Sequence, residues 1–212
     1  MNNPVQNITW YEAVLFANLL SDERGLTSCY YKDASFSQAV TIENYNGGDF
    51  YWKQDANGYR LLSESEWEYS CRAGASGPFW IQELNYNDHN CDLHCTPGMM
   101  PSLESVAWFS GNKMSPEGLD TTKPVGMKLP NPWGLYDVHG NVDELCWDCF
   151  DPYPPMNDYE NMDGTISSGC DKVGRGGCWG SDPYMCRSAA RNGMPPDARE
   201  PALGFRLARS LP

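Results

Sequence analysis

The 212-residue sequence has no uninterrupted apolar stretch approaching the roughly 18 residues of a membrane span, which excludes a helical transmembrane segment. Basic residues are scarce, 15 against 28 acidic, and the net charge is −13. A whole-chain nucleic-acid binder is excluded on that balance, because phosphate binding needs a basic surface. No basic segment followed by an apolar stretch opens the chain, so no signal peptide is visible. There is no internal repeat, linker or low-complexity tract.

What is present is globular material: 41% hydrophobic and 13% aromatic residues. The length predicts one domain spanning 1–212, large enough to bury a core without staples. Twenty glycines and sixteen prolines predict short elements joined by many turns. The cysteine count is nine, so at least one has no partner within the chain, and the compartment stays open between reducing and oxidising. Charge is uneven. From Asp171 onward there are seven basic and four acidic residues, giving +3 and leaving −16 on the rest. Those arginines stand singly among small and apolar residues, a pattern that predicts ion pairs to the acidic body rather than a nucleic-acid patch.

Two helices are legible. Thr9 and Glu12 form a capping box, and Trp10, Ala13, Val14, Ala17 and Leu20 follow at helical spacing up to Gly25. Ser63 and Glu66 form a second box before Trp67, Tyr69 and Cys71, stopping near Gly74. Tyr30 to Trp52, broken by Asn46-Gly47-Gly48, reads as a ribbon. Residues 75–135 show little periodicity, and packing of Trp80, Trp108, Phe109 and Trp133 is expected to hold them. Strands are expected at Asn141–Trp147, Val173–Trp179, Arg187–Arg191 and Leu203–Arg209.

Four ordered motifs carry a family resemblance over nearly the whole chain. They are Tyr59-Arg60-Leu61-Leu62-Ser63-Glu64-Ser65-Glu66-Trp67-Glu68-Tyr69, then Lys123-Pro124-Val125-Gly126, then Asn131-Pro132-Trp133-Gly134-Leu135-Tyr136-Asp137-Val138-His139-Gly140-Asn141-Val142, and finally Arg175-Gly176-Gly177 with Leu203-Gly204-Phe205-Arg206. This set resembles the formylglycine-generating-enzyme (sulfatase-modifying factor) family. The resemblance implies an α+β, C-type-lectin-like fold of the formylglycine-generating-enzyme subtype, with two helices, short antiparallel strands and much irregular structure. The resemblance implies opening strands before Asn3-Pro4-Val5 that this sequence does not show, so either a short variant or an absent upstream segment is expected.

Fold does not carry function, so the chemistry must be read at the site. The family's oxidase holds copper between two thiolates just after its Arg-Gly-Gly, and soft Cu(I) needs that pair. Aligned from Gly177, Ser181 stands where the first cysteine belongs and Cys186 where the second does. Aligned back from Arg187, three residues are missing. Either way only one thiolate is available, and Cys178 occupies a serine position; the chain is expected not to be an enzyme. The family's iron-dependent sulfoxide synthases take histidines from an additional helical domain, and here only His89, His94 and His139 exist.

The C-terminal segment instead resembles the variable region of proteins diversified by retroelements, most like the Treponema-type variable proteins. Framework residues alternate with heterogeneous clusters between 178 and 202: Gly180-Ser181-Asp182, Tyr184-Met185, Ala190, Gly193-Met194-Pro195, Ala198 and Glu200-Pro201-Ala202, with Cys178 and Trp179 at the head. The resemblance implies a non-enzymatic, receptor-like protein whose hypervariable surface binds an unknown protein or cell-surface ligand, as a monomer, at the cell surface or outside the cell. The logic is that of an antibody loop, with side chains exchanged on a fixed frame. The alternatives are an oxidase of sulfatase cysteines and an inactive structural homologue. No cofactor is required. The resemblance also implies a calcium site at Asp137, the backbones of Gly140 and Val142, and Glu144, a mixture of oxygens suited to a hard ion; the competing reading pairs Glu144 with an arginine.

Two further clusters stay open. His89, Cys91, His94 and Cys95 are zinc-ligand types at a non-standard spacing, and a disulfide or polar loop competes with a metal site. Cys146 and Cys149 form a C-x2-C within a strand pattern, where alternation sends them to opposite faces.

Overall fold

The computed structural model describes residues 2–81, 101–113, 121–151, 165–166 and 169–210. Both capping boxes form. Thr9 Oγ1 accepts from the Glu12 amide while Glu12 accepts from the Thr9 amide, opening α1 (Trp10–Glu23). Ser63 and Glu66 exchange the same pair before α2 (Glu64–Arg72), which ends on Ala73 in the left-handed conformation. The ribbon is present as β1 (Tyr30–Tyr31) paired antiparallel to β2 (Phe50–Trp52), itself paired to β5 (Thr165–Ile166). β3 (Tyr59–Leu61) pairs with β9 (Leu207–Arg209).

The central sheet runs β7 (Arg191–Met194), β6 (Lys172–Arg175), β4 (Asp143–Cys149), β8 (Leu203–Phe205). It lies between the helices, and alternation along β4 shows how. Leu145 and Trp147 join the α1 core with Trp10, Val14 and Tyr30, and Cys149 packs against it. Cys146 turns to the α2 core with Trp67 and Cys71. Trp147 stacks on Tyr30 at 4.7 Å, and the Trp10 indole donates to the Cys146 carbonyl.

Several sequence expectations shift. The strand placed at Asn141–Trp147 begins at Asp143, because Asn141 has a positive φ and its side chain bridges to the Lys123 backbone. The strand placed at Val173–Trp179 stops at Arg175, where Gly176 and Gly177 both take positive φ. Residues 187–190 are turn, and the strand follows them. Leu203–Arg209 is two strands with different partners, and β8 runs parallel to β4, so the strands are not all antiparallel. A third short helix, α3 (Pro101–Glu104), sits in the aperiodic region. Phe109 is buried there, but Trp133 is half exposed and meets only the edge of α2, its ring 4.9 Å from Tyr69.

Arg175 joins the helix to the sheet. It is fully buried, and its guanidinium donates to Glu68 and to the carbonyls of Ser188 and Ala190. Its Nε lies 3.2 Å from Glu64 Oε1, within ion-pair range but out of line for a hydrogen bond. Removing Arg175 takes the donor from the Ser188 and Ala190 carbonyls, while Glu68 keeps Arg72 and Glu64 keeps Arg191, so the loss is expected at the lower end of the about 3–5 kcal/mol of a broken buried ion pair. Arg175→Met is therefore expected to lower the unfolding free energy by about 3 kcal/mol, read as a lower urea midpoint at unchanged m-value. A loss under about 1 kcal/mol would show that the network is dispensable.

Candidate functional site: the surface built by residues 178–202

The expected site segment leaves β6 through Gly176 and Gly177. A β-carbon on Gly177 would stand 3.0 Å from Cys186 Sγ, so the turn admits only glycine. Cys178 to Asp182 form a turn in which the Ser181 amide donates to the Cys178 carbonyl. A 3-10 turn, Pro183–Cys186, follows and buries Pro183 and Cys186. The Ser188 amide donates to the Pro78 carbonyl, and β7 then carries the chain back. Beyond β7 the loop is tied to the N-terminal segment. The Trp10 amide donates to Pro196, and the Asn7 amide to Glu200 and Leu203.

Frame and clusters therefore differ in burial, as the motif reading expects, but not uniformly. Gly180, Tyr184, Pro195, Glu200 and Pro201 are exposed. Cys178, Trp179, Ser181, Asp182, Met185, Gly193, Met194, Ala198 and Ala202 are half-buried. Frame residues Cys186, Ser188 and Leu203 are buried, Arg187, Arg191, Asn192 and Pro196 are half-buried, and Asp197 and Arg199 are exposed. Ala190 is the exception: it is buried, because its carbonyl is drawn in to Arg175, and it cannot be a contact residue. Met194 is half an exception, since it packs over Gly174 and against the α1 core. Gly193 lies under the Phe150 ring, where a β-carbon would meet Cδ1 at 2.6 Å.

A residue outside the predicted set, Asp143, ties the start of β4 to the frame of this segment. It is buried at the start of β4, and its Oδ1 accepts from the Gly177 amide at 3.1 Å and from Asn192 Nδ2 at 3.0 Å. Burial pushes its carboxyl up to about 6, with the charges of Glu144 and Glu200 adding to the rise. Asp143 in turn lifts the Cys178 thiol, which burial has already raised. Ser110 and Lys113 complete the rim. The Ser110 amide donates to Ser181, and the Lys113 ammonium lies 5.9 Å from the Trp179 ring.

The two-thiolate position does not hold two thiolates. Ser181 Oγ sits 3.3 Å from Cys178 Sγ and accepts from the Cys178 amide. Cys186 is fully buried in a separate apolar cluster with Phe79 and Leu103, and its thiol is driven well above the ordinary value by desolvation. Protonated thiols are poor ligands for a soft metal ion.

Of the four groups implied for calcium, Glu144 is engaged by the protein itself. Arg206 Nε and Nη2 bind its two oxygens at 2.8 and 2.7 Å, and Trp67 Nε1 donates at 2.7 Å. Asp137 Oδ2 accepts from the Gly126 amide, and its Oδ1 is buried without a protein partner. The Gly140 carbonyl accepts from Val142. A guanidinium already neutralises Glu144, so calcium here would rest on the Asp137 Oδ1, backbone carbonyls and water. His89, Cys91, His94 and Cys95 lie outside the described residues.

With this geometry in place, comparison with known proteins is informative. The sulfatase-modifying factor enzyme 1-like domain (FGE-sulfatase) matches residues 1–211. The chain belongs to this family. It is 28% identical over 216 residues to the chaperone protein LppX of Paenibacillus barcinonensis, covering 98% of this chain and 70% of that protein. It is 34% identical over 160 residues to the formylglycine-generating enzyme of Mus musculus, covering 71% of this chain but 39% of the enzyme. Among solved structures, Treponema denticola variable protein 1 superposes with a TM-score of 0.72 at 26% identity, covering 98% of this chain and 71% of that one. The fold is thus the expected C-type-lectin-like α+β arrangement of this family. Among the described residues no helix is long and apolar enough to cross a membrane.

Two buried groups give stability opposite pH dependences. Asp143 keeps its proton to about pH 6 when folded, whereas an unfolded aspartate loses it near 4. The folded state binds the extra proton in that window, so stability falls as pH rises through it. His139 is fully buried and lowered to about 4 by desolvation. There the unfolded chain binds the extra proton between about 4 and 6.5, and stability rises with pH. Asp143→Asn removes only the first effect. It is expected to gain about 2–3 kcal/mol over the parent at pH 7, from a shift of roughly two pH units, and little at pH 4. Equal differences in denaturation midpoint at both pH values would contradict the assignment.

Proposed function

We propose that this family member is a non-enzymatic binding protein whose 178–202 surface recognises a protein or cell-surface ligand through side chains exchanged by retroelement diversification. The observation that supports this reading is that several frame positions along one segment are buried while several cluster positions between them face solvent, although Asp197 and Arg199 of the frame are exposed and Ala190 is buried. Pro183, Cys186, Ser188 and Leu203 are held inside, while Gly180, Tyr184, Pro195, Glu200 and Pro201 between them face solvent. Exchange at the exposed positions leaves the core intact, whereas truncating large core side chains costs about 2–5 kcal/mol. The likeness to Treponema denticola variable protein 1 supports the same reading. Display outside the cell follows from a ligand of that kind.

The oxidase reading is favoured by identity with the mouse enzyme. Against it stands the thiol chemistry, with Ser181 beside Cys178 and Cys186 sealed in an apolar cluster. Purified protein is expected neither to bind Cu(I) with two-thiolate stoichiometry nor to convert cysteine peptides to formylglycine. Turnover above a metal-free control would reverse the proposal. At the level of DNA, a nearby near-copy of the 3′ coding end differing at adenines would establish diversification.

Substituting Asp182, Tyr184, Met185 and Glu200 together by alanine is expected to abolish ligand capture, since aromatic anchors carry about 2 kcal/mol or more at hot spots. The melting temperature should move by no more than about 2–4 °C, the scale of a 1 kcal/mol change in a chain this size. Melting lowered by more than about 10 °C would show that these side chains hold the fold.

A further inference from the structure

Beneath β7 lies an arrangement that ligand recognition does not require. Lys172 is fully buried, yet its ammonium donates to sulfur: Nζ is 3.1 Å from Cys170 Sγ and 3.8 Å from Cys149 Sγ. Its third neighbour is the Trp10 ring, 4.4 Å to the centroid. The two sulfurs are joined as the Cys149–Cys170 disulfide. A disulfide sulfur is a weak acceptor, and a buried ammonium is stabilised fully only by an anion. Methionine would fill the same space without a desolvation cost. The Asp148 charge supports the ammonium through space, and reducing the disulfide adds an anion at hydrogen-bond distance from Nζ, because it leaves a thiolate there.

Among the described residues, three elements face Lys172. β4 contributes Cys149, and Asp148 beside it is the charge that supports the ammonium; α1 contributes the Trp10 ring; β7 contributes Met194, its apolar register partner. Burial lowers the amine to about 8, so it is charged through the neutral range. Cys149 and Cys170 are half-buried, which leaves them open to a small thiol while Lys172 is sealed. Met194, Cys149 and Cys170 pack against the same core around Trp10, so the state of the sulfurs bears on the footing of β7.

We propose that Cys149–Cys170 is a reversible redox element in which Lys172 stabilises the Cys170 thiolate released on reduction, and that its state sets how firmly β7 is held. An external dithiol, as its thiolate, attacks Cys149 Sγ. The sulfur–sulfur bond breaks and its electron pair leaves on Cys170 Sγ, beside the ammonium. The reductant's second thiolate then attacks the mixed disulfide and departs as its own disulfide, and Cys149 takes up a proton. Two electrons enter with one proton instead of two. None of this depends on the ligand-binding reading.

The test is the midpoint potential of the whole chain in dithiothreitol redox buffers between pH 6.0 and 7.5. One proton per two electrons predicts a tenfold change in equilibrium constant per pH unit, about 30 mV. Lys172→Met is expected to change this to a hundredfold, about 59 mV, and to make the disulfide harder to reduce. Lys172→Arg should keep the tenfold dependence. In the parent, hydrogen exchange at the amides of Arg191–Met194 should quicken on reduction. A hundredfold dependence in the parent would overturn the proposal without any variant, as would a Lys172→Met protein indistinguishable from it. Unchanged exchange in β7 would overturn the mechanical half.

Discussion

A guanidinium with no access to water is tolerated only where carboxylates and carbonyls surround it, and Arg175 is surrounded by both. Glu64 and Glu68 reach it from α2, and Ser188 and Ala190 offer carbonyls from the chain leading into β7. Arg191 extends the network, with Nη2 2.7 Å from Glu64 Oε2. One centre thus fixes the helix, the sheet and the return path of the site segment. The exposed side chains of that segment sit on a backbone already placed by groups beneath them. That is the physical condition for a surface whose chemistry can change while its shape does not.

The same principle recurs at the other arginines. Arg206 clamps Glu144, and Arg199 reaches Glu12 at the head of α1. The basic C-terminal segment is pinned to the acidic body by individual ion pairs, as its charge pattern anticipates. Where the family motif suggests calcium at Glu144, the chain supplies its own cation. Where it suggests paired thiolates, the chain supplies a serine hydroxyl and a sealed thiol. Both departures leave the fold standing and alter what the site can do.

Much of this was legible before any coordinates. Capping boxes are local and declare themselves, so both helices begin where Thr9 and Ser63 place them. Four ordered motifs carried the fold. Strand limits were less legible, because the residues that end strands here, Asn141 and Gly176, act through positive φ and through distant partners such as Lys123. The parallel pairing of β8 with β4 has no signature in either strand alone. At the site, alternation of frame and cluster was readable, whereas the burial of Ala190 follows from Arg175, fifteen positions away in sequence. Asp143 was not read as a site residue, because its place beside the segment depends on Asn192, Gly177 and Glu200 meeting it in space.

The central claim is that a fixed frame carries replaceable side chains, and paired libraries test it most directly. One library would randomise 180–182, 184, 185, 195, 198 and 200–202. The other would randomise Arg175, Gly177, Cys186, Ser188 and Leu203. Protease resistance of displayed protein, read by sequencing, reports folding of each member. The account predicts that most members of the first library fold and few of the second do. Equal losses in the two libraries would contradict it.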